Sequence, residues 1–199
     1  MRIAARKDFP RIIEILAKAF DSNPSVTWVV KNDKKRPARV RALAAYSVKT
    51  AARRKGVYLS DNGHGIALCY RYNAKKEWIT DFWNQAILVS KCIGLRNIFK
   101  VLQRERYTKS MRPKSGDYLY FWYYGVEPGH NGNGDAKDIK DEIFTMADKL
   151  ALPVYLETSV EKNRRVYVRY GFEVYAQWFV KDQQITLYFL RRNPDKLKK

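Results

Sequence analysis

The chain has 199 residues, 46% of them hydrophobic, and a formal net charge of +19. That length and apolar share fit one domain with a sizeable core and exclude global disorder, and no apolar run reaches the ~18 residues of a membrane span. Only Cys69 and Cys92 are present, with no metal-ligand spacing to them or to His64 and His130, so reduced thiols, a cytoplasmic setting and no metal are expected.

Met1-Arg2 leads into ordered patterning without a signal-peptide core. Arg2 to Ala5 reads as a short strand. Asp8 is placed to cap a helix through Phe20, with Ile12, Leu16, Ala19 and Phe20 on its inner face. Asn23-Pro24 breaks the pattern. A basic helix is expected from Pro37 to Arg54, with Gly56 as its C-cap. Residues 31–55 hold ten basic side chains and one acidic, and 91–114 hold eight and one. Such runs suit solvated helix faces that attract an anionic cofactor. A nucleic-acid or acidic-membrane footprint is the competing reading, and no RNA-module signature supports it.

Val57 to Ser60 and Ile66 to Tyr72 read as a hairpin about Asp61-Asn62-Gly63. Residues 75–107 have an irregular helical pattern interrupted near Gly94, and Lys109 to Gly116 is a polar connection. A long aromatic strand, Tyr118 to Val126, ends at Glu127-Pro128. The turn Asn131-Gly132-Asn133-Gly134-Asp135-Ala136 follows. The next helix carries Ile139, Ile143, Met146, Ala147 and Leu150 on one face. A strand from Val154 to Glu157, a short helix near Arg164 to Arg169 and a hairpin of Glu173–Val180 and Ile185–Arg191 complete the chain, leaving a basic tail, Asn193 to Lys199. No linker divides residues 1–192, so a single domain is expected.

A strand feeding a glycine-rich turn at a helix start is suited to phosphate. Glycines let the backbone approach closely, and the free N–H groups of the first helical turn point at the anion. No Gly-Lys-Ser/Thr ends this turn, so it is not a P-loop. With Val126-Glu127-Pro128 before it and Leu156-Glu157-Thr158-Ser159, Asn163 and Tyr167…Gly171-Phe172 after it, the segment resembles the acetyl-CoA-binding core of the GNAT superfamily of N-acetyltransferases. Those later residues, with Ala19-Phe20-Asp21-Ser22-Asn23-Pro24 and Trp28, are similar to its puromycin-acetyltransferase-like branch. The resemblance is strongest over 117–175. It departs from the family pattern at Asn131, where Gln or Arg is usual, and at Asp135, a carboxylate in the phosphate turn.

The resemblance implies an α+β GNAT acyl-CoA N-acyltransferase fold, with a mixed central sheet flanked by helices and a helical insertion at about 73–116. It implies acetyl-CoA as cosubstrate, held by Tyr124, Gly125, Val126, Asn131, Gly132, Asn133, Gly134, Asp135, Ala136 and Asn163, with Arg164 or Arg165 meeting a phosphate. Glu157 is the expected base and Tyr167 the proton donor, with Asp117 and His64 as other candidate bases. The expected acceptor is a small primary amine, with no nucleic-acid or membrane partner, on a monomer or homodimer. A non-catalytic binder of acetyl-CoA or nucleic acid, and an enzyme using another acyl-CoA, are the alternatives.

Overall fold

The computed structural model describes residues 1–73, 98–130, 132–181 and 184–195. Seven strands, β1 (Arg2–Ile3), β2 (Val57–Leu59), β3 (Gly65–Arg71), β4 (Leu119–Val126), β5 (Val154–Thr158), β6 (Glu173–Val180) and β7 (Ile185–Arg192), form one sheet in the order β1-β2-β3-β4-β5-β7-β6. The helices are α1 (Phe9–Phe20), α2 (Pro24–Val29), α3 (Arg36–Arg53), α4 (Ile98–Ser110), α5 (Asp135–Lys149) and α6 (Glu161–Arg169).

β3 is buried at every position except Arg71. A strand so apolar needs a packed layer on both faces. Ile66, Leu68 and Tyr70 pack with Ile12, Leu16, Ala44 and Val48 of α1 and α3. Ala67 and Cys69 pack with Ile139, Ile143, Phe144 and Ala147 of α5. The mixed sheet between helices is the expected GNAT architecture. Its parallel pair is β4 and β5, joined across one face by α5, while the other neighbours are antiparallel.

Local chemistry accounts for where the elements differ from expectation. The break at Asn23-Pro24 starts a helix: Asn23 Oδ1 accepts from the Ser25 N–H at 2.9 Å, and Pro24 fits the first turn. Lys55 (φ 54°), not Gly56, takes the left-handed position after α3. Gly56 is needed for space, because a Cβ there would collide with the carbonyl oxygen of Cys69. Ile15 joins Ile12 and Leu16 in the core. Leu150, expected on the inner face, follows the last residue of α5 and is 44% exposed. The short helix begins at Glu161, ahead of the expected Arg164.

The expected helical break near Gly94 lies outside the described residues. α4 continues through Ser110, past the expected start of the connection. The start of the tail is tied down: the Asp195 N–H donates to Asp148 Oδ1 at 2.9 Å, and Arg192 reaches both carboxylates. Among the described residues, no helix is long and apolar enough to cross a membrane.

Candidate active site

The site begins with an irregularity in β4. Its register against β3 passes from Leu68↔Tyr123 to Cys69↔Phe121, so Trp122 is an extra residue on the β4 side. A bulge of this kind re-aims the side chains that follow. Tyr123 turns to the α1 layer and meets Phe20 edge-on at 5.0 Å. Tyr124 turns to the α5 layer, and its hydroxyl donates to the carbonyl of Ala136, tying the end of β4 to the first turn of α5. Gly125 leaves room for Phe20, whose ring would lie 3.2 Å from a Cβ at that position.

β4 and β5 pair only at Leu119↔Val154 and Tyr120↔Tyr155. Beyond these residues β5 continues its ladder with β7 alone, leaving the adjoining edge of β4 without a strand partner among the described residues. A cavity of about 330 Å³ opens in this region, bounded by Tyr123, Tyr124, Glu157, Asn163 and Tyr167.

At the end of β4, Gly129, Gly132 and Gly134 all have φ near +90°. Gly134 is the residue before α5 and has no side chain to cap it, so among the described residues the first-turn N–H groups have no capping side chain. A Cβ at Gly132 would meet nothing within 4 Å, which leaves the turn open on that side. Asp135, the carboxylate that departs from the family pattern, is 2% exposed beside Gly65, and its Oδ2 is buried with no partner among the described residues. The glycine turn and the helix start suit a pyrophosphate. Gly132, Asn133, Gly134, Asp135 and Ala136 are all at this helix start, and Asn131 lies outside the described residues.

Glu157, on β5, is held firmly. Its Oε1 accepts from Arg112 Nε at 2.8 Å, and its Oε2 accepts from Arg112 Nη2 at 3.2 Å and from the Tyr120 hydroxyl at 2.7 Å. Both side chains of the ion pair are 9% exposed. Arg112 also lies 3.9 Å over the Tyr120 ring. Burial opposes the charge on Arg112, but the Glu157 carboxylate overrides it and holds the guanidinium pKa above its ordinary value. Burial pushes the Tyr120 hydroxyl up as well. Among the described residues these bonds take three of the roughly four lone-pair sites of a carboxylate.

Tyr167, on α6, borders the same cavity and packs edge-on against Phe172 at 5.6 Å. Burial, with Tyr170 as a lesser cause, raises its pKa, so the hydroxyl keeps its proton through neutral and moderately alkaline pH. Arg164 and Arg165 both bond Glu161, whose carboxyl is lowered to about 2, chiefly by Arg164.

The two other candidate bases are elsewhere. Asp117 bonds Arg71 and the Tyr118 N–H at the start of β4. His64 accompanies Glu127 at 2.7 Å and stacks on His130 with ring centroids 3.6 Å apart. Ligand atoms of His64, Glu127 and His130 lie within 4.8 Å of one another, a grouping the sequence spacing did not suggest. Arg11 already brings a positive charge there, 3.2 Å from both His64 and Glu127.

Arg112 and Tyr120 were missed as site residues. Arg112 stands 45 positions from Glu157, in what reads as a connection, and only the fold brings them together. The one available signal was that a carboxylate at a strand end commonly has a basic partner.

No protein-family model matches the chain. It is 35% identical over 79 residues to an uncharacterized N-acetyltransferase of Schizosaccharomyces pombe, a match covering 38% of this chain and 32%, about a third, of that protein. Among solved structures, it is similar to a histone acetyltransferase HPA2 and related acetyltransferase from Corynebacterium glutamicum, with TM-score 0.72 and 19% identity over 100% of this chain and 97% of the other. Arylalkylamine N-acetyltransferase 2 from Aedes aegypti follows with TM-score 0.67 and 14% identity, covering 98% of each chain. Polyamine N-acetyltransferase from Drosophila melanogaster has TM-score 0.66 and 12% identity, covering 96% of this chain and 98% of that one. With its β4–β5 opening and the glycine turn at the start of α5, this chain has the fold of the GNAT acetyltransferases.

Proposed function

We propose that residues 1–192 act as one catalytic domain that transfers the acetyl group of acetyl-CoA to a primary amine of a small molecule, by direct attack in a ternary complex. The observation that carries this reading is a cavity joining the edge of β4 that has no strand partner among the described residues to Glu157, Asn163 and Tyr167, with the glycine-led start of α5 bonded to Tyr124 on its border. The names of two similar structures, an arylalkylamine and a polyamine N-acetyltransferase, favour a small amine. The puromycin-acetyltransferase-like branch, a cytoplasmic setting, a monomer or homodimer and the absence of nucleic-acid and membrane partners belong to the same proposal.

Acetyl-CoA supplies an activated thioester. The turn residues Gly132 to Ala136 present N–H groups to its pyrophosphate. The free edge at Tyr124, Gly125 and Val126 suits the amides of its pantetheine arm, with Asn163 opposite. An amine at neutral pH is mostly protonated and must lose a proton before it attacks. Glu157 takes that proton, directly or by way of a water. A backbone N–H at Gly125–Val126 meets the negative charge that develops on the carbonyl oxygen. Tyr167 gives a proton to the departing sulfur.

A panel of amines assayed with acetyl-CoA for release of free thiol tests this reading. Turnover with at least one small amine is expected. Binding of acetyl-CoA without turnover would replace the enzyme with a non-catalytic binder, and turnover only with a different acyl-CoA would change the donor.

A further inference from the structure

The acceptor side of the cavity contains an arginine with no ion-pair partner among the described residues. Arg104, on α4, donates from Nη2 to Ser25 Oγ at 2.7 Å, and its guanidinium lies 4.6 Å over the Trp28 ring. Ser25 is in turn bonded to Ser159 beyond the end of β5, at 2.8 Å, so the arginine is anchored to the same strand end that carries Glu157. Its Nη1 is buried and has no partner among the described residues.

The carboxylates bordering the cavity are Glu105 and Glu157. Glu157 is bonded to Arg112 and Glu105 to Lys109, while Arg104 forms no ion pair among the described residues. Among the described residues the cationic side chains bordering the cavity are Arg54, Arg104, Lys109 and Arg112. Burial lowers the pKa of Arg104, and Glu157 is the chief charge opposing that shift.

A buried guanidinium with an idle N–H is costly unless a ligand completes it, and its planar fork suits a carboxylate or a phosphate. A polyamine would meet repulsion at the same wall. We infer that the acceptor is an amine carrying an anionic group, a carboxylate or a phosphate, and that Arg104 pairs with that group. This rests on the acyl-transfer reading above and names its substrate class.

Matched pairs test it: tryptamine against tryptophan, and ethanolamine against phosphoethanolamine. The readouts are kcat/KM by thiol release and, independently of turnover, binding measured by calorimetry. The wild type should favour the anionic member of at least one pair by about tenfold or more, the scale of one charged hydrogen bond. The pair that responds distinguishes carboxylate from phosphate. Arg104→Met should collapse that ratio toward one, and Arg104→Lys, which keeps the charge but not the fork, should retain part of it. A purely structural arginine would lower both members together and leave the ratio unchanged, which overturns the inference, as does a wild-type preference for the neutral members. Anionic members that bind in an Arg104-dependent way without being acetylated would uphold anion recognition while removing the acyl-transfer reading. Should Arg104→Met fail to fold, the wild-type ratio and Arg104→Lys still decide the matter.

Discussion

Glu157 would have two competing uses in the proposed reaction, since the oxygens that take a proton from the amine also hold Arg112. Glu157→Gln keeps the shape and removes the basic site. Turnover at neutral pH should fall by about 10²-fold or more and recover partly at high pH, where free amine is already present. A wild-type pH–rate profile in the variant would move the base elsewhere. Arg112→Met exposes the other use: it leaves a buried carboxylate unpaired and should cost about 3–5 kcal/mol in urea denaturation. The double variant should regain part of that loss, because the unpaired charge is gone.

Tyr167→Phe removes only a hydroxyl, so packing on Phe172 should persist. Turnover should fall by ~10²-fold with little change in acetyl-CoA binding. Because the folded-state pKa of Tyr167 is raised, the donor form is fully present below it and is lost only as pH rises through it. Any loss of activity between neutral pH and the ordinary phenol range therefore has another source. An alkaline limb in that range that disappears in Tyr167→Phe would contradict this assignment.

At the scale of elements, the start of α5 and the end of α3 use glycine for different reasons. Gly134 has φ 90° and leads into a helix that it cannot cap with a side chain. Gly134→Val adds backbone strain and fills the approach to the first-turn N–H groups. The wild type should gain about 2.7 kcal/mol of stability at 100 times the acetyl-CoA dissociation constant, and the variant should show no thermal-shift response. A full response in the variant would move the pyrophosphate away from this turn. Gly56 is a matter of space rather than angle, since a Cβ would meet the backbone of β3, which cannot yield as a side-chain tip can. Gly56→Ala should therefore destabilise the apoprotein with the response to acetyl-CoA retained.

The whole molecule carries +19, and the fold redistributes that charge. On the first basic stretch Arg36 pairs with Asp21, Arg39 with Asp33 and Arg41 with Glu14. On the second, Arg104 and Arg112 turn into the cavity. The first stretch is partly neutralised and two arginines of the second border the cavity, so nucleic-acid binding should be weak, with a steep linear loss on a log–log salt plot and little left at physiological salt. Selective, tight binding under those conditions would restore the nucleic-acid reading.

The amino-acid pattern by itself determined the elements whose cause is local. Alternation and apolar runs mark β3 and β4, the 3.6-residue period marks α1 and α5, and the turn chemistry marks the hairpin at Asp61-Asn62-Gly63 and the helix start at Gly134. The end of a helix was less legible: Gly56 reads as a cap, and only its distance from Cys69 reveals that it serves close approach. Tertiary structure alone decided the surroundings of the candidate site. The extra residue at Trp122 depends on register against β3, and the opening beyond Tyr120 depends on where β4 and β5 cease to pair. Arg104 reaches Ser25 across 79 positions, and Arg112 reaches Glu157 across 45. A charge on an isolated segment reads the same whether water or a carboxylate faces it. Its partner is selected by packing between distant elements, and no local spacing encodes that choice.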